Sequence, residues 1–404
     1  MGDVVHVSME DIERAAELIK DIAVRTPMED SRWLSALTGS SVRLKCENLQ
    51  RTGSFKVRGA YTRMSHLTEE ERARGVVAAS AGNHAQGVAL AAQALGIEAT
   101  VFMPEGSPIP KEKATRGYGA HVVFHGRYLE DALVAAREFE ERTGAVLIHP
   151  FDNTDIVAGQ GTVGLEILEQ APEVETVVVP CGGGGLLSGI AIAVKSRRPD
   201  VRVIGVQAEG AAAYPASLRA GRPVPLSSMS TMADGIAVGL PGEVPFAAVR
   251  DLVDEVITVS ESSLSRAVLA TLERAKMVVE PAGAAAVAAI LDEPGRFSSP
   301  TVGVLSGGNI DPLLLGKVIQ HGMAAAGRYL NLTLRIPDRP GGLARLLSEV
   351  GDAGANVIEV AHARINADLS LDEVEVHLQL ETRGDSHAET VLTRLRECGY
   401  RVFE

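Results

Sequence analysis

Short apolar runs alternate with longer amphipathic segments from Pro27 to about residue 320. The runs are rich in valine, isoleucine and alanine and are seldom interrupted by polar residues, which is typical of strands that helices cover on both faces. The pattern predicts strands at 42–48, 75–79, 99–103, 120–124, 145–149, 176–179, 202–207, 255–259 and 301–305. Periodicity predicts helices between them, such as 85–94, 128–142 and 264–277, and a capping box at Ser8 and Asp11 begins an earlier helix that ends near Ile22. Alternating strands and helices predict an α/β fold with doubly wound parallel sheets.

The pattern changes near Gly327. The order of predicted elements becomes strand 329–336, helix 342–353, strand 357–365, strand 373–381, helix 388–398 and strand 401–404. This βαββαβ order is typical of a ferredoxin-like unit. Strand 373–381 alternates strictly between apolar and polar residues, which indicates that one face of its sheet meets water or a partner. We therefore predict two domains, at 1–325 and 329–404.

Composition and charge exclude several classes of function. The net charge of −13 and the 4% aromatic content make nucleic acids and anionic membranes poor partners. No apolar run is long enough to span a membrane, and the N-terminus lacks the apolar core of a signal peptide. An odd and unpatterned cysteine set predicts neither a disulfide framework nor a zinc site: Cys46, Cys181 and Cys398. We expect a cytoplasmic protein without a bound metal.

Four consecutive glycines, Gly182 to Gly185, follow a predicted strand and open a predicted helix. Glycines at a helix N-terminus let backbone N–H groups converge on one anion, so this segment is a candidate cradle for a phosphate. The run does not fit the G-x-G-x-x-G dinucleotide pattern, and it lacks the lysine of a Walker A loop. The alternative is a tight strand-to-helix turn, which needs fewer glycines.

A second candidate is Lys56, which follows Gly53-Ser54-Phe55 at the predicted start of a helix. The positive end of a helix dipole disfavours a cation there and lowers the pKa of the lysine. An amine with a lowered pKa can condense with a carbonyl group. The alternative is an ordinary exposed lysine.

Two further strand ends carry small and polar residues. The segment 80–87 offers backbone donors for a carboxylate and the Asn83 amide for a hydroxyl. The alternative is that Asn83 or Ser80 simply caps the helix. His84 is expected to form a local hydrogen bond. Ser306 ends a buried strand, where it meets a ligand or caps a helix from Asp311. A phosphate cradle, an amine for a carbonyl and an amide for a hydroxyl together indicate pyridoxal 5'-phosphate.

These residues also resemble a known family. Lys45-x-Glu47-x-x-Gln50 followed by Ser54-Phe55-Lys56-x-Arg58-Gly59-Ala60 is similar to the lysine motif of threonine dehydratases, which are pyridoxal-phosphate enzymes of the tryptophan-synthase-β-like group (fold type II). The similarity extends over residues 5–320 through SAGNHAQG, CGGGGLLSG, ADGIAV, EPAGA and SGGN. It implies two doubly wound subdomains, the smaller one at roughly 45–148 inserted in the larger. Residues 329–404, with the marker DRPGGL at 338–343, resemble an ACT domain, a regulatory module that binds amino acids.

The resemblance implies a role for each candidate. Lys56 would hold the cofactor covalently and later move the α-proton of the substrate, and Phe55 would pack against the cofactor ring. Asn83 would bond the ring hydroxyl, and Ser306 would face the ring nitrogen. The phosphate would be held by Gly182, Gly183, Gly184 and Gly185. The substrate carboxylate would be bound by the segment Ser80, Ala81, Gly82, Asn83 and His84.

The implied activity is conversion of L-threonine to 2-oxobutanoate and ammonia, with L-serine giving pyruvate. Serine racemases belong to the same group, but they typically place a serine where this chain has Ala81, which cannot move a proton. Their metal site would fall near Gln207 and Ala213, neither of which is a carboxylate, so no metal is expected. The alternatives left open are a serine-preferring dehydratase or racemase-like enzyme, a β-hydroxyaspartate-type lyase, and a non-catalytic amino-acid sensor.

The C-terminal unit predicts assembly and regulation. A lone βαββαβ unit leaves one sheet face open, which a second copy would cover, so we expect a homodimer or homotetramer. The turn before the helix at 342 and the start of the next strand form a candidate effector site with Gly341, Gly342 and Asn356. The resemblance makes isoleucine the expected effector, with valine as antagonist. The alternative is a domain that only dimerises.

Overall fold

The computed structural model describes residues 6–364, 370 and 372–403. Within it the chain forms two compact units, one extending to Leu315 and the other beginning at Gly316. The predicted strand ends at Ile365 and Glu404 lie outside the described residues. The domain limits 1–325 and 329–404 stay a prediction.

The first unit contains parallel strands joined by helices. Its strands are β1 (Met28–Asp30), β2 (Val42–Cys46), β3 (Val76–Ala79), β4 (Ala99–Met103), β5 (His121–Phe124), β6 (Val146–Leu147), β7 (Thr176–Pro180), β8 (Arg202–Ala208), β9 (Glu255–Val259) and β10 (Thr301–Leu305). The helices up to residue 325 are α1 (Met9–Ile19), α2 (Arg32–Thr38), α3 (Lys56–Ser65), α4 (Glu69–Arg74), α5 (Asn83–Leu95), α6 (Ile109–Gly117), α7 (Leu129–Thr143), α8 (Thr154–Gln170), α9 (Gly185–Arg197), α10 (Ala213–Ala220), α11 (Glu243–Leu252), α12 (Glu261–Ala270), α13 (Ala285–Asp292) and α14 (Pro312–Ala325).

The strands form two sheets. The larger sheet has the order β1-β2-β10-β7-β8-β9 and is parallel except for β1, which runs antiparallel to β2. The smaller sheet has the order β5-β4-β3-β6 and is parallel throughout. The predicted α/β fold with parallel sheets is confirmed, and the predicted capping box at Ser8 and Asp11 is present.

Two predicted elements need correction, and one further strand is present. Strand 145–149 is only Val146–Leu147, because Pro150 has no N–H to continue the ladder. Helix 264–277 ends as α12 at Ala270 and continues as a π-helical turn, Thr271–Ala275, which stops at Lys276 with φ 61°. Strand β1 was not predicted, since three residues of which two are acidic carry no apolar pattern.

The carboxyl ends of three strands in the larger sheet meet at one edge. Strand β10 lies between β2 and β7, with Leu305 opposite Cys46 and Gly303 opposite Val178. Every residue of β7 and β10 is buried, as expected for central strands between helical layers. The segments that follow β2, β7 and β10 therefore emerge side by side, where open α/β sheets bind ligands.

Helix α3 links the two sheets. It follows β2 of the larger sheet, yet Ala60 and Met64 of this helix are buried in the core of the smaller sheet with Val76 and Val101. Helix α8 approaches it closely, because a Cβ on Gly159 would lie only 2.5 Å from the carbonyl oxygen of Arg58. The start of α3 is thus fixed between both layers.

The second unit has its own antiparallel sheet. Its elements are β11 (Tyr329–Pro337), α15 (Gly342–Asp352), β12 (Asn356–Ala363), β13 (Glu373–Glu381), α16 (Asp385–Glu397) and β14 (Arg401–Phe403). The strand order β12-β13-β11-β14 and the buried core of Leu334, Leu346, Val376 and Val391 agree with the predicted ferredoxin-like βαββαβ unit.

The described residues contain neither a candidate membrane-spanning helix nor a candidate metal cluster. None of their helices combines the length and apolar character that a membrane crossing requires. Within the same ranges, His, Cys, Asp and Glu side chains do not gather in a group of three or more that could hold a metal ion.

Candidate active site

A cavity of about 530 Å³ opens in the first unit where the strand ends meet. The residues predicted to hold a cofactor and a substrate carboxylate all line it: Phe55, Lys56, Ser80, Ala81, Gly82, Asn83, His84, Gly182, Gly183, Gly184, Gly185 and Ser306. Segments that are more than 200 residues apart in sequence are thereby brought to one place. The cavity also exposes residues that the sequence did not single out, including Glu280, His149 and Gln160.

The glycine run forms a cradle in which no side chain fits. A Cβ on Gly184, where φ is 100°, would lie 1.8 Å from the Tyr214 hydroxyl oxygen. A Cβ on Gly183 would lie 2.5 Å from the Phe151 ring, and one on Gly185 would lie 2.6 Å from Gln160 Oε1. A turn alone does not require such close packing, so the glycines serve to bring the backbone N–H groups at the start of α9 to the cavity wall.

A buried polar atom beside this cradle has no hydrogen-bond partner among the described residues. The side chain of Gln160 is 1% exposed and lines the cavity, and its Oε1 accepts no hydrogen bond from any described residue. Buried amides normally have partners. The cradle fits an anionic ligand group such as a phosphate. The Gln160 oxygen is free to accept a hydrogen bond from a donor on the same ligand.

Lys56 is the first residue of α3, and its amine is turned into the cavity instead of towards bulk water. Nζ donates to the carbonyl oxygen of Pro150 at 3.0 Å and lies 5.2 Å from the centre of the Phe55 ring. Burial lowers the pKa of Lys56 to about 8, although the nearby Glu280 carboxylate opposes the shift. The direction matches the sequence prediction, but burial is its main cause. The amine is therefore neutral far more often at neutral pH than that of a surface lysine.

Asn83 does not cap its own helix. Helix α5 begins at Asn83 with Gly82 as N-cap and no side-chain cap. The Asn83 amide nitrogen donates to Glu280 Oε1 at 2.5 Å, and its oxygen accepts from Asn309 Nδ2 at 2.8 Å. These two bonds fix the orientation of the amide at the cavity wall.

Glu280 is the main polar residue that sequence reasoning missed. It is 7% exposed, and burial raises its pKa to about 6. Gly307 makes room for it, since a Cβ there would lie 2.3 Å from Glu280 Oε1. The only sequence signal was the EPAGA match, which assigned no role to the carboxylate.

Ser306 directly follows β10 and is 5% exposed. It is not the cap of α14, because Asp311 Oδ1 accepts the N–H groups of Leu313 and Leu314 instead. Its hydroxyl forms no hydrogen bond with the part of the chain that the structure describes. His84 bonds the Ile148 carbonyl oxygen at 2.7 Å, and burial lowers its pKa to about 3, so it stays neutral.

A buried ionic network lies behind Lys56. Arg58 donates from Nε and Nη2 to the two carboxylate oxygens of Glu47, each at 2.9 Å, and from Nη1 to Glu166 at 2.7 Å. Lys45 Nζ lies 2.5 Å from the other oxygen of Glu166. The two cations and two anions balance, and together they bind β2, α3 and α8. The motif Lys45-x-Glu47 thus has a structural partner in Arg58, which residue spacing alone did not reveal.

The candidate effector residues lie in the second unit. Gly341, with φ 81°, immediately precedes α15, and Gly342 is the first residue of that helix. Asn356 begins β12, where its amide donates to Glu381 Oε2 at 3.3 Å.

Comparisons with known proteins identify the family. A sequence model described as "Pyridoxal-phosphate dependent enzyme" matches residues 19–308. The chain therefore belongs to the pyridoxal-phosphate dependent enzymes, and the predicted cofactor and fold type are confirmed.

Particular members are also similar. An L-threonine ammonia-lyase of Thermotoga maritima is 47% identical over 98% of this chain and 99% of its own. The processed form of threonine deaminase isoform 2 from Solanum lycopersicum has a TM-score of 0.76 and 38% identity, covering 78% of this chain and 87% of its own. Maize serine racemase has a TM-score of 0.74 and 37% identity, covering 79% and 99%.

Proposed function

We propose that the chain is an L-threonine ammonia-lyase that converts L-threonine to 2-oxobutanoate and ammonia, and L-serine to pyruvate. The observation that carries the proposal is the cavity itself. The Lys56 amine and the glycine cradle both line it. The similar protein from T. maritima, which matches this chain over nearly its whole length, is named for this reaction. The substrate is thus a small amino acid.

Lys56 supplies the nucleophile and the base. Pyridoxal phosphate, when bound, supplies an aldehyde that condenses with amines and a ring that withdraws electrons from the substrate α-carbon. The lowered pKa leaves the Lys56 amine neutral often enough to act as a nucleophile and as a base. With the cofactor in place, Lys56 would hold it, and once the substrate amine had taken that position the freed Lys56 nitrogen would take the α-proton. The β-hydroxyl would leave as water after gaining a proton, and the enamine set free when Lys56 regains its position would tautomerise and react with water to give the 2-oxo acid and ammonia.

The other residues hold and tune the cofactor. The cradle at Gly182, Gly183, Gly184 and Gly185 would bind its phosphate, and Asn83 its ring hydroxyl. Ser306 would face the ring nitrogen. A neutral serine cannot keep that nitrogen protonated as a carboxylate would, which favours loss of a β-substituent over transamination.

Serine racemisation is the second candidate, favoured by the likeness to the maize enzyme. A racemase needs a proton donor on each face of the α-carbon. Ala81 lines the cavity where the racemase motif places a serine, and a methyl group cannot donate a proton. The proposal therefore assigns elimination to this site.

A steady-state assay decides between these activities. Purified holoenzyme is given L-threonine or L-serine, and 2-oxobutanoate, pyruvate, ammonia and D-amino acid are measured. Turnover of threonine to equal amounts of 2-oxobutanoate and ammonia, absent in Lys56→Ala, is expected. Release of D-serine without ammonia would contradict the proposal, and an enzyme that lacks the visible absorption band of the bound cofactor would be a sensor.

Assembly and regulation complete the proposal. Residues 329–404 would act as an ACT domain that binds isoleucine near Gly341, Gly342 and Asn356. A homodimer or homotetramer would cover the open sheet face of this domain. The domain limits 1–325 and 329–404, with a small subdomain at roughly 45–148, belong to the same proposal, as does a cytoplasmic location.

A further inference from the structure

His149 holds a fixed tautomer at the wall of the cavity. It follows β6, and its ring nitrogen Nδ1 lies 2.8 Å from the backbone nitrogen of Asp152 and 3.3 Å from that of Phe151. Both backbone groups carry hydrogens, so Nδ1 must present its lone pair and cannot carry a proton. The single proton of the neutral ring is therefore on Nε2.

The ring also stays neutral. The pKa of His149 is lowered to about 4, mainly by burial; Asp152 opposes the shift, and the nearby cations Lys56 and Arg137 add to it. At neutral pH, His149 can neither give up nor take a proton easily, but it can donate a hydrogen bond. Within the described residues, Nε2 forms no hydrogen bond, although the residue lines the cavity.

The two residues after His149 lie beside the Lys56 amine and the glycine cradle. The carbonyl oxygen of the next residue, Pro150, accepts the hydrogen bond of Lys56 Nζ. The ring of Phe151 packs edge-on against the His149 ring, with 4.7 Å between centres, and also lies against Gly183 of the cradle. One short segment thus touches both the amine and the cradle.

We propose that His149 is a ligand-binding residue whose Nε2–H donates to an oxygen atom of the molecule in the cavity. Two oxygens have the required chemistry: the phosphate of the cofactor and the β-hydroxyl of the substrate. The second source rests on the proposed function. In either case the hydrogen bond is donated without proton transfer.

Two substitutions distinguish the acceptor role of Nδ1 from the donor role of Nε2. Asparagine in His149→Asn places its Oδ1 near the Nδ1 position and keeps the acceptor for the Asp152 and Phe151 N–H groups, but removes the donor from the cavity. The chain already uses this arrangement at Asn153, whose Oδ1 accepts from Asp155 and Ile156. Glutamine in His149→Gln instead extends an amide N–H towards the Nε2 position and lacks the local acceptor.

The holoenzymes are compared in cofactor release during dialysis, in kcat/KM and in thermal midpoint, with His121→Asn on the exposed face of β5 as control. If the donor meets the phosphate, His149→Asn releases cofactor about 10-fold faster or more. If it meets the hydroxyl, release is unchanged and kcat/KM for L-threonine falls about 10- to 100-fold, while β-chloro-L-alanine, which has no leaving hydroxyl, is spared. In both cases we expect His149→Gln to retain more of the affected property, cofactor retention or kcat/KM, than His149→Asn does, although its thermal midpoint is lower.

The proposal is overturned if His149→Asn equals the wild type in release and in kcat/KM. It is equally overturned if the losses follow the thermal midpoints, with His149→Gln the worse variant, since the ring would then serve only the turn. A wild-type enzyme that fails on threonine would contradict the proposed function, whereas the rate of cofactor release would still decide the role of His149.

Discussion

Asn83 and Glu280 are 197 residues apart in sequence, and their side chains meet at 2.5 Å on the wall of the cavity. The pair joins the helix that follows β3 to the segment before α13. Burial raises the pKa of the Glu280 carboxyl above that of an ordinary glutamate, although the charge of Lys111 and the hydrogen bond from Asn83 both oppose the shift.

The buried position of Glu280 makes the free energy of unfolding depend on pH. Its pKa is about 6 in the folded enzyme against 4.5 for the ordinary group, so the folded state binds more protons between these values and the free energy of unfolding falls as pH rises through them. The loss amounts to about 2 kcal/mol and should be absent from Glu280→Gln. Unfolding of the cofactor-free enzymes at pH 4.5 and 7.5 measures it. An equal pH response of both proteins would contradict the raised pKa.

The Lys56 pKa controls cofactor capture. Only the neutral amine attacks an aldehyde, so the rate at which cofactor-free enzyme takes up pyridoxal phosphate should rise about tenfold per pH unit and level off near pH 8. A lysine with the ordinary pKa of 10.5 would show no plateau in this range. Stopped-flow absorbance between pH 6 and 9.5 measures the rate, with Lys56→Arg as the control that cannot react.

The cradle tolerates no side chain at Gly184. Gly184→Ala should weaken cofactor binding by about 100-fold or more, because the methyl group would collide with the Tyr214 hydroxyl. Gly221→Ala is the matched control, since Gly221 also has a positive φ, 67°, but has open space around its Cβ position. It should cost about 1 kcal/mol of stability and leave cofactor affinity unchanged. Equal effects of the two substitutions on affinity would show that strain, and not the cradle, is responsible.

Ala81 determines the stereochemical outcome. The wild type should eliminate ammonia from L-serine while releasing little D-serine, because the Ala81 methyl group has no proton to give. Ala81→Ser should raise the ratio of D-serine to pyruvate by about 10-fold or more, as a hydroxyl is placed where protons can be exchanged. Chiral chromatography of the residual serine measures the ratio. Abundant D-serine from the wild type would point to another proton donor.

Removal of residues 329–404 should leave threonine turnover in place and abolish any response to isoleucine. The residues of the cavity all precede residue 307, so the catalytic groups are retained. Initial rates with and without saturating isoleucine or valine test both halves. A full-length enzyme that ignores these and other amino acids would contradict the sensing role, leaving dimerisation as the function of this domain.

The sequence predicted those parts of the molecule in which neighbours in the chain are also neighbours in the structure. The buried runs at β7 and β10 and the glycines that follow β7 have local patterns with a direct physical meaning. The order of the strands in each sheet leaves no such local pattern in the sequence. The short strand β1 leaves none either, because it forms only through its pairing with β2.

The same limit explains the site. Lys56 and the glycine run were recognisable because a helix start and a glycine run are local signals. Glu280 and the buried pair of Arg58 and Glu47 depend on partners from distant segments, and a lone carboxylate in a sequence is most often a solvated one. His149 carried no local signal, since its tautomer is set by two backbone N–H groups that only the turn after β6 orients.

Helix α3 follows the larger sheet but packs in the core of the smaller one, so the cavity takes one wall from each layer. Asn83 stands on the wall of the smaller sheet, and Gly184 stands on the wall of the larger. A ligand that contacts both walls links the two sheets. Its binding energy therefore opposes any change in the distance between the sheets. By thermodynamic linkage, any change that moves the two sheets apart lowers the affinity for the ligand.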